Sequence, residues 1–153
     1  MKIQSKFAYV FVTILPIMSI FLTGRFYPMK EDTYQSKFEP PSWVFGVVWT
    51  YLTLSFGYVS ARVIFNSKGW ERKGVIACYF SILVGLVLWL PLFYYKRYAN
   101  SFWLLILITY MSIGYVMLLS FMKRKEVIAL VPMCMWVALA SCLNGVIYDR
   151  LGN

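Results

Sequence analysis

The sequence contains no histidine, and only six of its 153 residues are acidic. Without histidine the chain has no Ser–His–Asp triad and no histidine-ligated metal or haem site. No glycine-rich phosphate-binding loop is present. Cys78, Cys134 and Cys142 all fall in apolar stretches, where we expect buried thiols and no disulfide framework. We therefore expect no catalytic residues, no metal ligands and no covalent cofactor.

Charged residues of both signs make up only 14% of the chain, whereas 61% is hydrophobic. Soluble domains carry about 25% charged residues, so this chain has too few charges to cover a water-exposed surface. The charges gather between apolar stretches of about 20 residues, the length that spans a bilayer as a helix. The sequence therefore predicts an all-α membrane protein, a single five-transmembrane-helix bundle over residues 1–153. The predicted helices are at about 7–24, 43–65, 74–95, 100–122 and 127–148.

The net charge of +9 does not indicate nucleic-acid binding, since the basic residues are spread over every connector. Basic loops of membrane proteins more often meet anionic lipid head groups, so we expect a lipid bilayer and no nucleic acid as partners. The N-terminus and the second and fourth connectors share one side, with about nine Lys/Arg when Arg62 is included, against about six on the other side. The positive-inside rule then predicts an N-terminus in the cytoplasm-equivalent compartment.

Acidic residues are missing from the interior of every predicted span. Proton-coupled carriers usually place a carboxylate or a histidine within the membrane. This absence argues against a pump or an ion-coupled carrier. Arg62 is the one charge well inside a span, near its end, where a long side chain reaches the interface.

Aromatic residues are abundant instead, with six Trp, twelve Tyr and twelve Phe. In the last span, Pro132, Trp136, Ala140 and Asn144 recur every four residues and so share one helix face. Such a face suits helix packing, with a small residue at the contact and an amide that bonds across helices. It also suits a pocket wall with one polar anchor. The pattern alone favours packing.

Four segments resemble the TspO/MBR family of tryptophan-rich sensory proteins, which includes the mitochondrial translocator protein, or peripheral benzodiazepine receptor. Residues 40–50, PPSWVFGVVWT, resemble the opening of the family's second helix. In the family's order follow WLPLF at 89–93, PMCMW at 132–136 and ASCLN at 140–144. The resemblance covers roughly residues 8–150.

The resemblance implies a translocator-type protein that binds a tetrapyrrole (protoporphyrin or haem) or a sterol, as a sensor or carrier without enzymatic activity. It implies an often homodimeric protein of the mitochondrial membrane in a eukaryote, or of the cytoplasmic membrane in a bacterium. The ligand site would lie between the helices under the long first connector, residues 25–42. Its implied residues are Trp49, Trp89, Phe93, Trp136, Ala140, Leu143 and Asn144.

Two further groups of residues lie outside the implied pocket and could contact a ligand. The propionates of a tetrapyrrole would suit the basic groups of the first connector, Arg25, Lys30 and Lys37. Near the end of the last helix, Val146, Tyr148 and Arg150 fit the proposed cholesterol pattern of an aliphatic, a tyrosine and a basic residue, which is a weak pattern.

The chain departs from the family at several positions. The family has Trp where this chain has Thr33 and Phe38, Asn where it has Leu86, and Tyr where it has Met133. Because the loop Trp is implicated in light-driven porphyrin breakdown by some bacterial members, we do not expect that activity. The same losses suit an alternative function, a structural or accessory subunit of a larger membrane complex that retains the fold with its pocket partly filled.

Overall fold

The computed structural model describes residues 3–28 and 41–151. Within these ranges it contains five long α-helices and no β-strand. The helices are α1 (Ile3–Phe26), α2 (Ser42–Asn66), α3 (Gly69–Tyr94), α4 (Tyr98–Phe121) and α5 (Val131–Leu151), with a short 3-10 helix at Lys125–Leu130. All five are long and apolar enough to cross a membrane. The predicted all-α, five-helix class is confirmed.

The starts of α1, α3 and α5 differ from the predicted ones by four or five residues, and those of α3 and α5 have a clear local cause. Helix α3 begins at Gly69, before the charged residues Glu71, Arg72 and Lys73. Apolarity marks the part of a helix that lies in lipid, and the helix itself continues into the polar interface. Helix α5 begins at Val131 after the 3-10 helix, because Pro132 has no N–H and fits the first turn of a helix.

The helices form a ring in the order α1, α2, α5, α4, α3. Helix α1 packs mainly on α2 and also contacts α3, while α4 packs on both α3 and α5. Contacts between α2 and α5 are few, and the 3-10 helix supplies most of the packing on that side. Tyr9 contacts Phe65, and Tyr27 contacts Tyr94, so α1 runs antiparallel to α2 and parallel to α3. We call the end of the bundle where α1 begins the N-terminal end, and the other the C-terminal end.

The N-terminal half of the bundle holds a closely packed aromatic core. The ring of Phe56 stacks on Tyr79, with centroids 5.2 Å apart, and meets Tyr115 edge-on at 6.0 Å. All three side chains are fully buried. The Tyr115 hydroxyl shares a 3.0 Å hydrogen bond with Ser60 of α2, so its polar atom is satisfied where no water is available.

The hydroxyl of Tyr79 compensates for a hydrogen bond that α1 cannot make. In an α-helix the carbonyl of Val12 would accept from the N–H of residue 16, but that residue is Pro16. The Tyr79 hydroxyl donates to this carbonyl at 2.8 Å. A backbone group left unpaired inside a bilayer is costly, so this contact both satisfies α1 and attaches it to α3.

Helices α1 and α2 approach most closely at Gly57. A Cβ atom added there would lie 2.0 Å from the carbonyl oxygen of Thr13. Small residues allow this kind of backbone contact between membrane helices, where it replaces the hydrophobic effect as a source of packing energy. Gly57 is therefore required by the crossing of α1 and α2.

The three cysteines are free thiols. Cys78 and Cys134 are half-buried, whereas Cys142 is exposed on the surface of α5. The expectation of buried thiols is therefore wrong for Cys142, because an apolar stretch in a membrane helix has a face toward lipid as well as one toward the bundle.

Candidate ligand cavity

A cavity of about 310 Å³ opens between α1, α2 and α3 in the C-terminal half of the bundle. Each of the three helices contributes a stripe of residues at helical spacing, which is why the walls come from one face of each helix. The lining residues are Ile17, Ile20, Phe21, Gly24, Tyr27, Phe45, Gly46, Trp49, Thr50, Thr53, Leu86, Trp89 and Leu90. A volume near 300 Å³ is at the lower end of the range for small-molecule sites.

Two tryptophans dominate the wall formed by α2 and α3. The rings of Trp49 and Trp89 lie 6.3 Å apart with planes only 28° from parallel. The Trp89 ring also contacts Phe93, one turn further along α3, at 6.0 Å. Trp89 is only 7% exposed, so the half-buried Trp49 offers more of the aromatic surface on which another flat ring could stack in the offset arrangement that aromatic pairs favour.

The polar groups of the cavity are few and uncharged. The hydroxyls of Thr50 and Thr53 donate to the carbonyls of Gly46 and Trp49, one turn earlier, at 2.8 and 2.6 Å. Their oxygens still have acceptor capacity toward a ligand. No charged side chain is among the described lining residues. The cavity therefore suits an apolar molecule and would hold a charged group only at its opening.

Glycines keep the cavity open on two walls. A Cβ atom added to Gly46 would meet nothing within 4 Å, and one added to Gly24 would come within 3.9 Å of Leu90. The side chains absent at these positions leave space in the cavity that Trp49 and Trp89 also line. Glycine thus serves two purposes in α2: Gly57 allows close contact with α1, and Gly46 leaves space between the helices.

Asn144 lies behind Trp89 and connects three helices. Its Oδ1 accepts from the Ser101 hydroxyl of α4 at 2.8 Å and, weakly, from Trp89 Nε1 of α3 at 3.5 Å. Its Nδ2 approaches the Ala140 carbonyl at 3.4 Å. The amide is buried and its partners are protein groups. In this position Asn144 orients the Trp89 indole from outside the cavity.

Residues 8–149 match the TspO/MBR family. The chain belongs to the TspO/MBR family. It is 28% identical over 144 residues to the Tryptophan-rich protein TspO of Archaeoglobus fulgidus, an alignment that covers 89% of this chain and 92% of that protein. It is 33% identical over 92 residues to the Translocator protein homolog of Schizosaccharomyces pombe, covering 54% of each. The protein is thus an integral membrane protein of the translocator type.

The structure separates the residues that the TspO/MBR resemblance suggested. Trp49 and Trp89 line the cavity. Phe93 lies beside Trp89 but packs against Tyr98 and Ile147 in a separate small cluster. Trp136 contacts the cavity residue Phe45 edge-on at 5.4 Å, with its own ring outside the cavity.

The remaining suggested residues lie in the packed part of α5. Ala140 and Asn144 are buried and Leu143 is half-buried, and none of them lines the cavity. Within the described residues, the buried Nε1 of Trp136 has no hydrogen-bond acceptor. The participation of these α5 residues in ligand binding stays a prediction.

Sequence reasoning missed the wall that α1 contributes. Ile17, Ile20 and Gly24 carry no family motif, and α1 had no aromatic–glycine signature to set it apart. Phe45 and Gly46 could have been found, because they lie one turn before Trp49 on the same face of α2. Leu86, which replaces the family's Asn, lines the cavity and makes it more apolar, while Met133 is buried in the core.

Several other predicted positions lie away from the cavity or outside the described residues. Lys30, Thr33, Lys37 and Phe38 lie outside the described residues, as does most of the predicted lid. Arg25 is exposed in the last turn of α1, beside the cavity residue Gly24.

The suggested sterol pattern lies on α5. Val146 is exposed, whereas the Tyr148 ring stacks on Phe102 of α4 with centroids 5.8 Å apart and planes 19° from parallel. Arg150 is in the last turn of α5. One face of the tyrosine is thus covered by α4, which reduces the surface that a sterol could contact.

Proposed function

We propose that this translocator-type protein binds a flat, mostly apolar ligand in the α1–α3 cavity, a tetrapyrrole in the first place, and acts as a non-catalytic sensor or carrier of it. The observation that carries the proposal is the near-parallel Trp49–Trp89 pair on the wall of an open, uncharged cavity. Stacking on such rings is worth about 0.5–1.5 kcal/mol per pair beyond the burial of apolar area.

The charges around the cavity suit a ligand with acidic groups on one edge. A macrocycle would enter with its apolar edge first and keep its propionates at the opening. Arg25 of α1, together with Lys96 and Arg97 between α3 and α4, lies at the same C-terminal end of the bundle. Guanidinium and ammonium groups form strong charge-assisted hydrogen bonds with carboxylates.

The open cavity also bears on the alternative of a structural subunit with its pocket partly filled. A chain that serves only for packing gains nothing from two glycines that leave space beside tryptophans, and voids cost packing energy. The open cavity therefore favours ligand binding over a purely structural role. A sterol is the second candidate ligand, because a fused-ring hydrocarbon fits an apolar cavity of this size.

The test is a titration of purified protein in mild detergent with protoporphyrin, followed by quenching of tryptophan fluorescence. In Gly46→Leu the new side chain would occupy space in front of Trp49, so affinity should fall at least tenfold. Gly114→Leu is the matched control, since Gly114 is exposed on α4 and an added Cβ there also meets nothing within 4 Å. Its affinity should equal that of the wild type.

Competition by cholesterol distinguishes the two ligand classes. Displacement of protoporphyrin by cholesterol would make the cavity a shared site for flat apolar ligands. If folded wild type shows no saturable quenching with protoporphyrin and no saturable binding of labelled cholesterol, the proposal fails and the structural-subunit alternative is favoured.

A further inference from the structure

A second, basic cleft lies at the N-terminal end of the bundle, opposite the apolar cavity. It has a volume of about 480 Å³ and lies where α2 and α4 end and the 3-10 helix begins. Its walls are Tyr58, Arg62, Lys123, Arg124, Lys125 and Glu126. Four of these side chains are cations and one is a carboxylate, so the cleft is positively charged.

Both carboxylates near this basic cleft are already paired with arginines. Arg62 Nε donates to Glu126 Oε1 at 2.6 Å, and Arg124 Nη2 approaches Glu71 Oε2 at 3.5 Å. In the part of the chain that the structure describes, Lys123 and Lys125 have no carboxylate partner. The cleft therefore keeps two uncompensated positive charges.

The backbone conformation of Lys123 adds a second observation. Its φ is +53°, a left-handed value at the cap of α4, where the N–H of Arg124 donates to the Leu119 carbonyl at 3.0 Å. Glycine is the usual residue in this cap because a side chain is strained there. Lys123 is therefore strained where glycine would not be. What lysine adds over glycine at this position is a positive charge.

The dipole of a helix attracts cations to its C-terminus, and this alone could explain a lysine at the cap of α4. The cap of α3 provides a comparison. Lys96 caps α3 in the same way, with a φ of +57° and the N–H of Arg97 donating to the Leu92 carbonyl at 2.9 Å. The cleft beside Arg97 is lined otherwise by Pro91, Leu92 and Tyr95, with no cluster of cations. The two Lys–Arg caps therefore differ in their surroundings and not in their conformation.

We propose that the basic cleft binds the phosphate group of an anionic phospholipid at this face of the membrane. Basic pockets between membrane helices are suited to such head groups. The Tyr58 hydroxyl accepts from Arg62 Nη1 at 3.0 Å, so its own proton is available for a phosphate oxygen. Lys123 and Lys125 supply the charge.

The surroundings of the basic cleft favour a lipid over a soluble phosphate. An exposed apolar stripe on α2, made of Tyr58, Leu54, Tyr51 and Val47, runs from the cleft along most of the helix. Acyl chains would lie along this stripe with the phosphate in the cleft. The net charge of this end also agrees: among the residues that the structure describes, the N-terminal end carries eight Lys/Arg and two acidic residues, against four and one at the other end.

The experiment measures retention of single lipids by native mass spectrometry of the full chain. The protein, in neutral detergent, is titrated with phosphatidylglycerol and separately with phosphatidylcholine. Wild type should retain one phosphatidylglycerol in preference to phosphatidylcholine. A cation near an anionic lipid surface contributes about 1 kcal/mol, or roughly fivefold in affinity, so Lys123→Gly should weaken retention about fivefold and Lys123→Gly with Lys125→Gln about 25-fold.

Lys96→Gly is the matched control, since it removes the same charge and the same strained φ at the other end of the bundle. It should leave phosphatidylglycerol retention unchanged. Both glycine variants relieve backbone strain, so neither should compromise folding. Equal losses in Lys96→Gly and Lys123→Gly, or no preference of wild type for phosphatidylglycerol, would overturn the proposal.

Glycerol 3-phosphate separates the lipid from a soluble phosphate. Weak competition by this compound, at concentrations far above those of the lipid, supports the lipid assignment. If it binds as tightly as phosphatidylglycerol, the cleft is a site for soluble phosphates and the lipid proposal fails. The proposal does not depend on the apolar cavity, because the two sites lie at opposite ends of the bundle.

Discussion

The two halves of α2 differ in how they meet α1: one packs closely against it, and the other is separated from it by the cavity. In its C-terminal half, Phe56, Val59 and Val63 are at most 1% exposed and Gly57 touches the backbone of α1. In its N-terminal half, Gly46 and Trp49 border an open cavity shared with α1 and α3. Gly46 and Gly57 are 11 residues apart, close to three helical turns, so both lie on nearly the same face.

Helices α1 and α2 therefore touch at one level of the membrane and separate at another. Pro16 lies on α1 between the contact at Thr13 and the cavity residue Ile17. A proline interrupts the helical hydrogen bonds and is a common site of bending. The Tyr79 hydroxyl donates to the Val12 carbonyl, which Pro16 leaves without a helical donor. The packed half of the bundle thus stabilises α1 at the level where the cavity begins.

The largest expected loss of stability comes from Gly57→Ala, which disturbs the close contact between α1 and α2. The added Cβ would lie 2.0 Å from the Thr13 carbonyl oxygen, and a backbone atom cannot move aside as a flexible side chain can. We expect a loss of stability at the upper end of the range of about 1–3 kcal/mol for overpacked sites. Thermal unfolding in detergent would measure it. A wild-type midpoint would mean that α1 and α2 do not cross closely at this level.

A smaller effect is expected from Tyr79→Phe, which removes the donor to the Val12 carbonyl. A buried acceptor left unpaired costs about 1–3 kcal/mol. Pro16→Ala restores an N–H to residue 16, so the carbonyl of Val12 regains its helical partner. Tyr79→Phe should therefore cost clearly less in the Pro16→Ala background than in the wild type.

The double-mutant cycle of Pro16→Ala and Tyr79→Phe isolates this coupling. Additive losses of stability in the two variants would contradict the role of Tyr79 as the substitute donor. Tyr115→Phe is the comparison, because its hydroxyl bonds to Ser60 and not to α1, so Pro16→Ala should not change its cost.

The fold could be predicted from the sequence more completely than the cavity could. Long apolar runs separated by charges determine five spans, because a helix is the one way for a single segment to satisfy its backbone in lipid. The cavity depends on where helices diverge, which is decided by contacts such as Gly57 with Thr13 that have no local pattern. The resemblance identified Trp49 and Trp89 but not the α1 wall, and it could not show that Asn144 lies behind Trp89 with its amide bonded to Ser101.

The smallest expected effect, and the sharpest test of the comparison, is Gly46→Ala, the same substitution as Gly57→Ala on nearly the same face of the same helix. An added Cβ at Gly46 meets nothing within 4 Å, so no clash opposes it. Alanine is favoured over glycine inside a helix by up to about 1 kcal/mol, so stability should stay equal or rise slightly. In the same detergent, the unfolding midpoint should then fall in Gly57→Ala and stay equal or rise slightly in Gly46→Ala. A destabilised Gly46→Ala would mean that α1 closes on α2 at this level too, and that the cavity between them is absent in the membrane protein.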